Sequence, residues 1–160
     1  MSDDTDKIGE TVEGIVMPRR RAVHSDPEGH SVEEEALPAA IAKKPVEQKS
    51  PAEWAYQRLI LYIQNFEKML DAEQEVAMGF TDTGGGFLRI EGLGHFDPDI
   101  VTFYGTDQTG AKVQLVQHVS QLNVLLRAMP KESTAEAPRR IGFQLAAGLE
   151  DDATPVDETG

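Results

Sequence analysis

The stretch that most constrains the fold runs from residue 97 to residue 130. Residues 100–104 are apolar at every position but Thr102, as expected of an inner strand of a sheet. After a turn at residues 105–110, Val113 and Leu115 alternate with polar side chains, which is typical of a half-buried strand. Two strands joined in this way predict a β-hairpin.

A second helix is predicted to follow this hairpin. Its apolar residues recur at helical spacing, and they are Leu122, Leu125, Leu126 and Met129. We expect the helix to begin near Ser120 and to end at Pro130, because the residue before a proline is disfavoured in a helix.

The first helix is marked by a capping box at Ser50. A serine at the N-cap, Pro51 at the first helical position and Glu53 at the third form this signature. The apolar positions that follow predict a long helix, namely Ala55, Leu59, Tyr62, Ile63, Phe66, Met69 and Leu70. Three more apolar residues widen the stripe beyond what one sheet contact needs, so we expect a second contact there, such as another subunit; they are Trp54, Ile60 and Leu61.

Three other segments alternate as strands do. Residues 75–80 and 87–91 form a hairpin around a glycine-rich turn, and residues 141–145 form the last strand. The turn could instead cradle a phosphate, but that use needs a helix start after the glycines. The order predicts an α+β fold with a mainly antiparallel sheet of about five strands, a long N-terminal helix and a second, shorter helix.

The buried positions of these elements give a predicted core. It consists of Leu59, Ile63, Phe66, Val76, Met78, Phe80, Leu88, Ile90, Val101, Phe103, Val113, Leu115, Leu122, Leu125, Ile141, Phe143 and Leu145.

Composition divides the chain into three parts. Residues 1–49 have few aromatic residues, several prolines and mixed charge, so we expect them to be disordered. Residues 50–148 form the single α+β domain. Residues 149–160 hold five acidic and no basic residues, and they predict a second disordered tail.

The charge and the residue types exclude several classes of function. A net charge of −13 repels phosphate and anionic lipid, which argues against a nucleic-acid or membrane-surface protein. The absence of cysteine excludes disulfides and thiol chemistry, and no apolar run reaches the ~18–20 residues of a membrane span. The acidic N-terminus differs from a signal peptide, so we expect a cytoplasmic protein.

His118 is the one candidate for catalysis. Histidine titrates near neutrality and can act as an acid, a base or a ligand. Three amides surround it and make the row a candidate binding site, Gln114, Gln117 and Gln121. A serine and carboxylates could complete a catalytic set, with Ser120, Asp97, Asp99 and Asp107 as the nearest. Alternatively, His118 is a structural residue between strand and helix. Strand alternation puts Gln117 on the core side, where we expect it to be buried and hydrogen-bonded to backbone, and His118 on the open side.

Other polar groups carry weaker signals. His95, Asp97 and Asp99 could ligate a divalent metal, but their spacing matches no metal loop, and Asp-Pro-Asp is a common turn sequence. We therefore predict neither a metal nor a cofactor. The basic clusters at residues 19–21 and 139–140 could hold a phosphate or a carboxylate, or could simply be solvated charge.

The sequence also resembles a known family. The resemblance covers about residues 51–145 and is carried by Gly92-x-Gly94, Asp97-Pro98-Asp99-Ile100, Phe103-Tyr104-Gly105, residues 114–122 and Arg139-Arg140-Ile141-Gly142-Phe143. These motifs are similar to a family of small bacterial proteins catalogued as a domain of unknown function. The resemblance implies one compact bacterial domain, and it implies no activity.

Two functions follow from these observations. The first is a non-enzymatic binding or scaffold module that self-associates or binds a protein partner, favoured by the wide apolar stripe of the first helix. The alternative is a small hydrolase or transferase that uses His118.

Overall fold

The computed structural model describes residues 11–12, 15–16, 19–29, 31–80 and 86–153. Two residue pairs near the N-terminus form a short antiparallel ladder, β1 (Thr11–Val12) and β2 (Ile15–Val16). The main sheet has five strands, β3 (Gln74–Phe80), β4 (Phe87–Phe96), β5 (Ile100–Thr106), β6 (Lys112–His118) and β7 (Val124–Pro130). They pair antiparallel in the order β6-β5-β4-β3-β7, so the predicted α+β class with a five-stranded antiparallel sheet is confirmed.

Three α-helices are present in the described residues, α1 (Ala39–Ala42), α2 (Pro51–Glu67) and α3 (Ile141–Ala153). The long helix α2 begins where its sequence predicts, because the Ser50 hydroxyl accepts a hydrogen bond from the Glu53 N–H at 3.0 Å. The Glu53 carboxylate pairs with Lys44 at 2.9 Å.

The predicted second helix is wrong. Residues 119–121 form a single 3-10 turn, and residues 124–130 form β7, which pairs with all of β3. Leu126 lies opposite Met78 on the helix-covered side, whereas Leu125 is 59% exposed on the other side. The spacing of the apolar residues in this segment fits a strand as well as a helix. The strand forms because it satisfies the backbone hydrogen-bonding groups along the edge of β3.

The predicted last strand is also wrong. Residues 141–145 alternate in sequence, yet they open α3. Ile141, Leu145 and Leu149 are four positions apart and face the core, while Phe143 is 69% exposed. The spacing of four positions, which continues beyond residue 145, is the helical signal.

Part of the predicted N-terminal tail is ordered, so the prediction of disorder is wrong for residues 31–49. This segment contains α1 and two 3-10 turns, Val32–Glu34 and Val46–Gln48. Ile41 is fully buried. Lys49 donates to the Ile41 carbonyl and to the Gln57 amide oxygen, both at 2.6 Å, and burial lowers the pKa of Lys49. Low hydrophobicity predicts disorder only for a segment that must form a core of its own, and here α2 supplies the apolar surface. Residues 149–153, the start of the predicted C-terminal tail, belong to α3 instead. The other residues predicted to be disordered, 1–10, 13–14, 17–18, 30 and 154–160, lie outside the described residues.

The core lies between the helices and one face of the sheet. Most of its predicted members are buried or half-buried there, with Phe103 and Met78 at its centre. Leu125 and Phe143 were expected in the core and are exposed, for the two reasons given above. Among the described residues, none of the helices combines the length and the apolar character that crossing a bilayer requires.

Candidate functional site

The turn Asp97-Pro98-Asp99 connects β4 to β5 and contacts two other elements. Its Asp97–Pro98 peptide bond is cis. The Pro98 carbonyl accepts from the Ala52 N–H at 2.9 Å, in the first turn of α2. The Asp99 carbonyl accepts from the Val119 N–H at 2.8 Å, just after β6. Asp97 and Asp99, which the sequence analysis names as possible partners of His118, therefore lie in one turn that joins the helical layer to the sheet.

His118 lies between Asp99 and Ser120. Its Nε2 is 3.2 Å from Asp99 Oδ2, and its Nδ1 is 2.8 Å from Ser120 Oγ. The Ser120 backbone N–H also donates to Nδ1, at 3.0 Å. Since a backbone N–H can only donate, Nδ1 is the acceptor, and a neutral ring carries its proton on Nε2, toward Asp99.

The same contacts cap the 3-10 turn at residues 119–121. The His118 N–H donates to Gln121 Oε1 at 2.9 Å, which completes a capping box with the bond from Ser120 N–H to the ring. The single lone pair of Nδ1 is therefore shared between the hydroxyl and the backbone of Ser120. In serine hydrolases the serine faces Nε2 and the carboxylate faces Nδ1, and here the two ring nitrogens are exchanged.

The three glutamines that were predicted to form one binding site do not lie on the same side of the sheet or share the same burial. Gln114 and Gln121 are exposed, whereas Gln117 is 4% exposed and lies opposite Val101. The predicted burial of Gln117 and the open orientation of His118 are confirmed. The predicted hydrogen bond of Gln117 to backbone is not found for Oε1, which has no partner among the described residues.

The apolar stripe of α2 is not a free surface. Ile60 is fully buried and Leu61 nearly so. Trp54 is half-buried, with Lys49 Nζ 4.7 Å and Arg58 Cζ 4.8 Å from its ring centroid. The second contact predicted from this stripe is made within the chain, by residues such as Val32 and Leu37. The expected exposed patch of Trp54, Ile60 and Leu61 is therefore wrong.

His95 forms a second histidine–carboxylate pair, which the sequence signalled only through the spacing of His95 and Asp97. Its Nδ1 is 2.9 Å from Asp97 Oδ1, and the same oxygen accepts from the Ser50 hydroxyl at 2.6 Å. The Ser50 hydroxyl and then His95 lower the pKa of Asp97. Asp97 and Asp99 thus serve different histidines, and no group of three potential metal ligands occurs within the described ranges.

The side of the sheet opposite the helices is open, and we call it the open face. It displays the alternate residues of each strand, and the described helices contact the other side. Three of its positions are glycines covered by aromatic rings. A Cβ on Gly92 would lie 3.6 Å from the Tyr104 ring, and one on Gly79 would lie 3.0 Å from the Phe87 ring. Gly94 also lies beneath Tyr104. The rings thus cover the glycine positions, an arrangement that compensates glycine in strands.

The open face carries both apolar and charged side chains, and several of its charges are paired. Val116 is 58% exposed at one edge and Leu125 59% exposed at the other, with Tyr104 between them. Lys112 pairs with Glu91 at 2.9 Å. The Arg127 guanidinium carbon lies 4.6 Å from the centroid of the Phe87 ring.

A groove of about 600 Å³ opens at one end of this face. Ala77 and Phe87 line it, and its walls are residues 107–110 and 129–132. Arg89 fixes one wall, because it donates to Glu75 at 2.9 Å and to the Pro130 carbonyl at 2.8 Å.

These features define a two-layer α+β protein whose antiparallel sheet is covered on one side and open on the other. The chain belongs to a family of unknown function, DUF6173, whose profile matches residues 44–144. The resemblance seen in the sequence is thereby confirmed. No curated protein and no solved structure matches the chain.

Proposed function

We propose that this protein is a non-enzymatic binding module that self-associates through the open face of its sheet. The observation that carries the proposal is the row of apolar groups on which Tyr104 and Phe87 cover glycines between the exposed Val116 and Leu125. An exposed apolar area of this kind usually marks a contact surface. The setting in this proposal is a bacterial cytoplasm, as the family resemblance and the cysteine-free composition suggest.

Charge favours a second copy as the occupant. The chain carries a net charge of −13, so two copies repel each other over most orientations. On the open face, the basic residues Arg89, Lys112 and Arg127 outnumber the acidic residues Glu75 and Glu91. Two copies that meet through this face therefore keep most of their acidic residues apart.

The shape of the face also suits a two-fold pairing. In such an interface each copy presents the same patch to the other. Here the patch offers protruding apolar groups such as Leu125 and a groove beside Phe87, and two copies can exchange these contacts.

Light scattering tests the proposal directly. We expect the full chain to have twice its monomer mass at micromolar concentration, and Val116→Glu with Leu125→Glu to reduce this to the monomer mass. Phe143→Glu is the matched control, because Phe143 is 69% exposed in the helical layer, and it should leave the mass doubled. Circular dichroism checks that all three chains are folded. A monomeric wild type at high concentration, or equal dissociation of the control, contradicts the proposal.

The contacts of His118 favour a second candidate, a small hydrolase or transferase. The specific observation is the series Asp99, His118 and Ser120, with distances of 3.2 Å and 2.8 Å. A fluorophosphonate probe distinguishes the two functions, since it labels an activated serine. Labelling of Ser120 that disappears in His118→Ala supports the hydrolase. If the wild type is not labelled, Ser120 is not an activated serine, and the role of His118 is to cap the 3-10 turn.

A further inference from the structure

A cleft of about 360 Å³ lies on the helical side of the protein, between α2 and the residues that precede α1. Arg19, Arg20 and Arg21 line one side, and Arg58 of α2 lines the other. Its apolar lining comprises Val32, Leu37, Trp54, Leu61 and Tyr62. The cleft thus combines four guanidinium groups with an apolar wall.

The charge of this cleft is opposite to that of the chain. Glu33 is the one carboxylate in its lining, and it accepts a hydrogen bond from the Tyr62 hydroxyl. That bond lowers the pKa of Glu33, so its charge persists, but four arginines surround a single anion. Arg20 and Arg21 form no ion pair with any described residue, although the chain has 28 acidic side chains.

Arg58 is held in place before any ligand arrives. Its Cζ lies 4.8 Å from the centroid of the Trp54 ring, and its Nε donates to the Trp54 carbonyl at 3.4 Å. Stacking on an aromatic ring restrains a guanidinium, and a restrained donor loses less freedom when it binds an anion. The remaining donors of Arg58 are available for an anion.

We propose that this cleft binds a small organic phosphate, which carries two or three phosphate groups on a planar or apolar moiety. The arginines would hold the phosphates, since the guanidinium fork matches phosphate oxygens in a bidentate manner. The apolar moiety would lie against Leu37 and Leu61. The volume is at the lower end of the ~300–1,000 Å³ typical of ligand pockets.

A neighbouring cavity supports a ligand with an extended shape. It has a volume of about 140 Å³ and shares Arg20, Val32 and Leu61 with the cleft. Lys68 lines its far side together with Glu35, whose carboxylate lies 3.9 Å from the Lys68 ammonium group. Arg20, which forms no ion pair with any described residue, lines both cavities and can hold a second phosphate of a ligand that extends along α2.

The fluorescence of Trp54 provides the test, because it is the only tryptophan in the chain and it lines the cleft. The probes are adenosine triphosphate, inorganic triphosphate, adenosine and citrate, each added to the full chain, with calorimetry as a second readout. We expect a saturable change with adenosine triphosphate and weaker binding of the other three. Citrate that binds as tightly as adenosine triphosphate contradicts the phosphate assignment. Equal binding of inorganic triphosphate contradicts the role of the apolar wall.

Two variants locate the site. Arg20→Gln with Arg21→Gln should weaken adenosine triphosphate binding by about tenfold or more, because two charge-assisted hydrogen bonds are lost. Lys44→Gln, which removes one exposed positive charge outside the cleft, is the matched control and should bind as the wild type does. The absence of saturable binding in the wild type by either readout, or an unchanged affinity in the double variant, overturns the proposal.

Discussion

Glu67 Oε2 accepts a hydrogen bond from the Gly142 N–H at 3.1 Å and so joins the end of α2 to the start of α3. The first N–H groups of a helix lack partners within it, and a carboxylate at that end also interacts favourably with the helix dipole. Glu67 thus acts as a cap supplied by a different helix. The capping residue lies 75 positions away in the sequence. The sequence around residue 141 therefore contains no capping signal that would predict the start of α3.

The close approach at Gly142 predicts a strong effect of a single methyl group. A Cβ there would lie 2.7 Å from Glu67 Oε1 and 2.8 Å from the backbone of Gln64. We expect Gly142→Ala to lower the free energy of unfolding by about 1–3 kcal/mol, measured by urea denaturation. Gly148→Ala in the same helix is the control, since no atom lies within 4 Å of its added Cβ, and it should be neutral or slightly stabilising.

The burial of Glu67 predicts a dependence of stability on pH. Burial raises the pKa of Glu67. The protonated Glu67 carboxyl therefore contributes fully to stability at a pH below its pKa in the unfolded chain, which is about 4.3. This contribution is lost as the pH rises through the higher pKa of Glu67 in the folded protein. We expect the wild type to lose stability relative to Glu67→Gln over this range, measured by denaturant unfolding from acid to neutral pH. A stability difference that stays constant with pH would show that the pKa of Glu67 is the same in the folded and the unfolded state.

Lys49 predicts how firmly the N-terminal segment is attached. Its ammonium group bonds the Ile41 carbonyl and Gln57, and Lys49→Met leaves both acceptors without this donor. We expect a loss of about 1–3 kcal/mol in the free energy of unfolding and faster proteolysis within residues 31–49. Lys44→Met removes an exposed pair with Glu53 and should cost about 1 kcal/mol or less. Equal losses for the two variants would contradict the role of Lys49 in attaching the N-terminal segment to α2.

His118 predicts a structural effect that is separate from any chemistry. Removal of its ring leaves the Ser120 N–H without its cap, so His118→Ala should lower the free energy of unfolding by about 0.5–2 kcal/mol. Gln114→Ala, on the same strand and also exposed, should change little. Melting temperatures of the two variants decide the matter. An unchanged melting temperature for His118→Ala would mean that the capping box contributes no stability.

The sequence predicted those elements whose signals are local. The start of α2 depends on Ser50 and Pro51, and the hairpins depend on alternation and glycine-rich turns, so these were predictable. The segment at residues 124–130 was not, because its leucines fit a helix and a strand equally, and only the unpaired edge of β3 selects the strand. Likewise, the width of the α2 stripe was visible, but its occupant, the segment that contains Ile41, depends on long-range packing.

The candidate site shows the same division. Alternation along β6 correctly separated Gln117 from His118. The contact of His118 with Asp99 depends on the register of β5 with β6, which places His118 opposite Ile100. The sequence predicted the hairpin of these two strands but not its register. The open face escaped prediction because its apolar residues are scattered over five strands, each of which looks unremarkable alone.

The close approach at Gly94 has an evolutionary consequence. A Cβ there would lie 2.7 Å from Thr102 Oγ1, whereas one on Gly92 would make an ordinary contact of 3.6 Å with the Tyr104 ring. A mutation that adds a side chain at position 94 therefore requires its neighbour across the strand pair to move or to become smaller. Homologous sequences should consequently show correlated substitution at positions 94 and 102, and independent substitution at positions 92 and 104. Gly94 and Thr102 would then be inherited as a unit.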